Sequence, residues 1–210
     1  MYLEAFHMVM DIKQVLPTRF QPPRLKDSLP RENLKKFLDE RSPRKLICVT
    51  GKAGQGKSVF MADYCISRNK AFLWYNLDSR DRDLSFLLGN LTDQVSKLWN
   101  LPLPQGDPGD SSRDLSAKSA EHLSLLLSGY QEREGFIVFD NFQVLQDAKK
   151  TLDFFSHLLD NLPRTFHLVI LSRHLPEINL VRVRSEKELL EFSDKEDRKS
   201  TRLNSSHRIR

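Results

Sequence analysis

The chain has 210 residues, 39% of them hydrophobic, which suits one good-sized core with at most a fragment beside it. Its formal net charge is +5, but Asp197–Arg210 holds five basic residues against one acid, so the body is nearly neutral. That excludes a basic nucleic-acid stripe in the body, and no run reaches the ~18 apolar residues of a membrane span.

Residues 1–16 read as an N-terminal extension. They have an early Glu4 and lack both a basic lead and a long apolar core, so no signal peptide is expected there. In Leu16–Asn33, Pro17, Pro22, Pro23 and Pro30 exclude regular helix and predict an extended path. RENLKKFLDER then places Leu34, Phe37 and Leu38 at helical spacing, and Ser42-Pro43 ends that helix. Lys45–Thr50 (KLICVT) is the first predicted strand, and SVFMADYCISRN the helix behind the next loop. Ala71–Leu77 is a second strand. Asp81 or Asp83 would cap a helix with Leu84, Leu87, Leu88, Leu91, Val95 and Leu98 on one stripe.

Asn100–Asp114 is a Pro/Gly/Asp/Ser loop, and a helix over about Leu115–Ser128 follows. Phe136–Phe139 is the third strand, ending at Asp140. A helix over about Asp147–Asn161 stops before Pro163. His167–Ser172 is the fourth strand and Glu188–Phe192 the fifth. Apolar runs alternating with amphipathic helices predict an α/β fold: a parallel sheet of about five strands with helices on both faces. Cys48 and Cys65 are expected as reduced core residues, and six histidines show no metal-ligand spacing. The chain reads as soluble and cytoplasmic.

GKAGQGKS (Gly51–Ser58) has the form G-x-x-x-x-G-K-[ST] after a strand and before a helix. Gly51, Lys52, Ala53, Gly54, Gln55, Gly56, Lys57, Ser58 and Val59 are therefore candidate nucleotide-binding residues. Gly54 and Gly56 let backbone N–H groups curl toward a phosphate, and the helix N-terminus adds its dipole. Lys57 would reach the β- and γ-phosphates and Ser58 would ligate Mg²⁺. Asp140 ends a buried strand, where a carboxylate can hold the same Mg²⁺. Asn141 follows it and cannot accept a proton as a second acid would, so slow hydrolysis is expected. Arg173 ends the fourth strand, where it could reach a γ-phosphate or be an ordinary surface arginine.

PTRFQPPRL, LPRENL, KLICVTGKAGQGKS, FLWYNLDSRDRD, FIVFDNF, LPRTFHLVILSR and KELLEF occur in this order. Over about Leu16–Phe192 this set resembles the ATPase domain of MalT-type LuxR-family regulators, which are signal-transduction ATPases with numerous domains (STAND). The resemblance implies the P-loop NTPase three-layer sandwich and an ATP/ADP switch with Mg²⁺. It implies that Pro30 and Arg31 lie on the adenine side and that Arg173 senses the nucleotide. It also implies self-association of a longer regulator, with DNA bound by a C-terminal domain outside these residues. Asn141 and Gln55 depart from the family pattern. An actively hydrolysing AAA-type enzyme is the alternative. The expected organisation is an extension (1–16), a P-loop domain cut short after its last core strand (17–196) and a non-native tail (197–210). The tail, DRKSTRLNSSH onward, resembles a translated sequencing adapter.

Overall fold

A computed structural model describes residues 16–25, 31–41, 44–103, 115–130 and 134–192. Pro30, the first fifteen residues, the tail and most of the Asn100–Asp114 loop lie outside these. Five strands form one sheet: β1 (Leu46–Thr50), β2 (Ala71–Asn76), β3 (Gly135–Asp140), β4 (Phe166–Ser172) and β5 (Leu189–Phe192). Their order is β2-β3-β4-β1-β5 and every pairing is parallel. Parallel neighbours require crossovers, and the helices that supply them cover both faces.

The helices are α1 (Glu32–Arg41), α2 (Lys57–Ser67), α3 (Leu84–Trp99), α4 (Leu115–Ser128), α5 (Lys149–Asn161) and α6 (Val181–Ser185). Alternation along each strand sends one set of side chains to each face. Leu46, Cys48, Leu73, Tyr75, Ile137, Phe139, Leu168 and Ile170 share a core with α3, α4 and α5. Ile47, Val49, Trp74, Val138, Val169 and Leu171 pack on the other face with Leu38 of α1 and Met61, Tyr64 and Cys65 of α2. The two cysteines thus sit on opposite faces, both buried and free. Burial pushes both thiols up, which keeps them unreactive.

The predicted strands and long helices are all present, with ends shifted by one or two residues. Some local details differ. Proline excludes long helix in the first segment, yet Thr18–Phe20 form a single 3₁₀ turn behind Pro17. Asp83 is the cap of α3, accepting from Phe86 N–H at 2.9 Å. Asp81 is buried in a neighbouring turn instead. Helix α5 starts at Lys149, not Asp147, whose positive φ of 64° lies outside helical geometry. The short α6 was not predicted.

At the amino edge of the sheet His167 is buried, and its Nδ1 lies 2.8 Å from the Arg44 carbonyl oxygen. Burial pushes this imidazole below its ordinary 6.5. The unfolded chain therefore takes up the proton at a higher pH than the folded one. The stabilisation is full above 6.5 and is lost as pH falls through the window beneath it. Unfolding free energy from urea titrations is expected to drop between about pH 7 and pH 5, and to drop less in His167→Gln. An identical pH profile for the two proteins would contradict this.

Candidate functional site

The sheet order brings the carboxyl ends of β1, β4 and β3 side by side. Residues 51–56 leave β1 as a loop and enter α2 at Lys57. Gly54 and Gly56 have φ of 78° and 74°, in the left-handed region that glycine adopts without strain. Gly56 is the N-cap of α2, so the free N–H groups of the first turn face the loop. The loop is tied at both ends. Gly51 N–H donates to the Ser172 carbonyl at 3.2 Å, and Arg31 Nη2 donates to the Gln55 carbonyl at 3.1 Å.

Lys57 Nζ donates to the carbonyls of Gly51 at 2.7 Å and Lys52 at 3.0 Å, which holds the ammonium across the loop. Asp140 is nearly buried at the end of β3, and its Oδ1 accepts from Asn141 N–H at 2.8 Å. Asn141 itself is exposed and left-handed at φ 61°. One cavity of about 350 Å³ is lined by Ala53, Gly54, Gly56, Lys57, Ser58 and Val59 from the loop and α2. From the strand ends it is lined by Asp140, Asn141, Gln143, Leu171 and Arg173. Two cations, a hydroxyl and one carboxylate therefore converge on a single space.

The structure places the sequence candidates unevenly. Lys57, Ser58, Asp140 and Arg173 meet at the cavity. Gly51, Lys52 and Gln55 shape the loop without lining it. Arg31 sits behind the loop at the head of α1, with Nη2 3.3 Å from where a Cβ on Gly56 would lie. Helix α1 is held there by Lys35, whose Nζ meets Asp63 at 2.7 Å and Ser67 Oγ at 3.1 Å across the α1–α2 interface. Arg68 adds contacts to Glu32 at 2.6 Å and Asp39 at 2.9 Å. Sequence reasoning passed over Gln143 and Leu171. The one local hint for Gln143 was its position three residues after Asp140, where a tight turn returns a side chain over the strand end.

A family model described as nephrocystin 3, N-terminal, matches residues 26–173. The chain belongs to the nephrocystin 3 N-terminal family. This nephrocystin-type domain is also 23% identical over 185 residues to the HTH-type transcriptional regulator MalT of Klebsiella pneumoniae. The match covers 87% of this chain and 20% of that protein, so the chain spans about a fifth of the relative's length. Among solved structures it resembles a STAND protein with a tetratricopeptide repeat sensor from Pyrococcus horikoshii. The TM-score is 0.51 at 17% identity, covering 85% of this chain and 25% of that one. The likeness to that structure shows the P-loop NTPase fold, an α/β parallel sheet with helices on both faces. Among the described residues no helix is long and apolar enough to cross a membrane.

Proposed function

We propose that this domain is a nucleotide switch that binds ATP and ADP with Mg²⁺, changes conformation between the two, and hydrolyses ATP slowly. The observation that carries the reading is the convergence of Lys57, Ser58, Asp140 and Arg173 on one cavity at the carboxyl edge. Lys57 and the N-terminus of α2 would hold the β- and γ-phosphates, and Arg173 would distinguish ATP from ADP. Ser58 and Asp140 are hard oxygen donors of the kind Mg²⁺ takes. Among the described residues no cluster of three or more His, Cys, Asp or Glu could hold a metal alone. The remaining ligands would therefore be phosphate and water, which is the usual arrangement for Mg²⁺.

Slow turnover is supported by the lining itself. Asp140 is the one carboxylate among the described residues around the cavity, and Asn141 offers an amide where a general base would stand. Arg31 would act by holding the loop backbone, beside its adenine-side role. Pro30 belongs to that proposed adenine side as well.

The Klebsiella pneumoniae relative is a transcriptional regulator. By that analogy ATP-driven self-association belongs to a longer cytoplasmic protein, with DNA bound outside these residues.

The test is Mg²⁺-dependent ATP binding. Asp140→Asn is expected to weaken ATP binding about tenfold in Mg²⁺ and to leave the EDTA value almost unchanged. Equal Mg²⁺ enhancement in the two proteins would refute the metal role of Asp140.

A further inference from the structure

Gln143 lines the nucleotide cavity although it lies outside both the phosphate loop and the strand that bears Asp140. The left-handed backbone of Asn141 reverses the chain, and the turn Phe142–Leu145 brings Gln143 back over the carboxyl edge. There Gln143 Oε1 accepts from Arg173 N–H at 3.3 Å, and Gln143 Nε2 donates to Asn141 Oδ1 at 3.5 Å. One amide therefore bridges the ends of β3 and β4, which are neighbours in the sheet.

Gln143 also lines a second, smaller cavity with Phe142, Leu152, Ser172, His174 and Pro176. Ser172 Oγ is buried there without a hydrogen-bond partner among the described residues. The amide thus stands between two polar environments: Arg173 and Asn141 on one side, the Ser172 hydroxyl on the other. Both of its present contacts are long, and long bonds near the surface cost little to exchange. The Arg173 side chain is exposed, so ordering it on a phosphate carries an entropic cost. Anchoring its backbone fixes the point at the end of β4 from which the side chain reaches the cavity.

We propose that Gln143 is a positioning residue that holds Arg173 toward the γ-phosphate, so that discrimination between ATP and ADP depends on the bridge between β3 and β4. This deepens the switch reading above and rests on it. Binding of the diphosphate does not involve the bridge, because the loop and Lys57 hold it. The segment that follows Arg173 lines the smaller cavity at His174 and Pro176. A change in the Gln143 amide would reach that segment directly.

The experiment measures MgATP and MgADP affinities by titration calorimetry for the full chain. The proteins are wild type, Gln143→Met, Arg173→Ala and the double variant. Gln143→Met keeps the side-chain length and removes both polar contacts; Gln143→Ala serves as a second variant if the first melts early. Gln143→Met is expected to leave ADP affinity within about twofold and to lower ATP affinity about tenfold. The double variant is expected to be no weaker for ATP than Arg173→Ala alone, because both losses act through one arginine. An unchanged ATP-to-ADP ratio in Gln143→Met, an equal loss for both nucleotides, or additive losses in the double variant would each overturn the proposal. An unchanged ratio in Arg173→Ala would overturn it too, together with the sensing role of Arg173. Nucleotide binding as such is tested separately at Lys57.

Discussion

Lys57→Ala is expected to weaken both ATP and ADP about 100-fold or more, a change equal to about 2.7 kcal/mol. The ammonium is already placed across the loop by the carbonyls of Gly51 and Lys52. A phosphate would meet it with full negative charge where those carbonyls offer dipoles. A single hydrogen bond to a charged group contributes about 1.5–3 kcal/mol, and the lysine can make more than one to a di- or triphosphate. The fold should survive the change. Lys57 is the first residue of α2, Gly56 remains the N-cap, and alanine is the best helix former. Stability is expected to stay within about 1 kcal/mol. Fluorescent-nucleotide titration with a parallel thermal melt would check both parts, and equal affinity in the two proteins would end the nucleotide reading.

The largest stability effect is expected at Arg19, beside the carboxyl end of β2. The Asp81 side chain is fully buried. It accepts from Tyr75 Oη–H and Asp78 N–H at 2.7 Å each and from Arg19 Nη1 at 3.3 Å. Arg19 Nη2 also meets Asp78 Oδ2 at 2.7 Å. Contacts to Arg80 and then Arg19 hold the Asp78 carboxyl well below the usual carboxylate range. Tyr75 is pushed up by burial and by its bond to Asp81, and so stays a neutral donor. Arg19 is therefore the cation that faces a carboxylate with no access to water. Arg19→Met would leave that charge with neutral donors only, at a cost of about 3 kcal/mol. The same change at exposed Arg80, which pairs with Asp78 at 2.6 Å, is expected to cost far less, because solvent screens that pair. Urea unfolding of the two variants separates these cases, and equal midpoints would refute the argument. The segment Thr18–Gln21 is stitched to β2 by the same region, since Asn76 Nδ2 donates to the Gln21 carbonyl at 2.8 Å.

Much of the architecture was readable from local pattern. Each strand is a short apolar run because a sheet covered on both faces buries every side chain; β3 and β4 are buried along their whole length. The long α3 was readable because Leu84, Leu87, Leu91 and Val95 recur at helical spacing and are all buried. The turns resisted. Thr18–Phe20, Ser79–Arg82 and Phe142–Leu145 are short 3₁₀ pieces set by Pro17, by the Asp78 cap and by the positive φ of Asn141, not by apolar period. Choosing between Asp81 and Asp83 as a cap was equally out of reach, because the answer lies in Arg19 and Tyr75, which are distant in the chain.

By itself the sequence determined the phosphate loop, the buried strands and the absence of a second acid after Asp140, since each is a property of consecutive residues. Only the tertiary structure decided that β4 lies between β1 and β3, which puts Arg173 between the loop and Asp140. It also decided that Arg31 braces the loop from behind and that Gln143 returns over the site. Periodicity says which face of a strand is buried, but not which strand lies beside it. That choice is made when the whole sheet packs, and it brings together side chains that no local spacing relates.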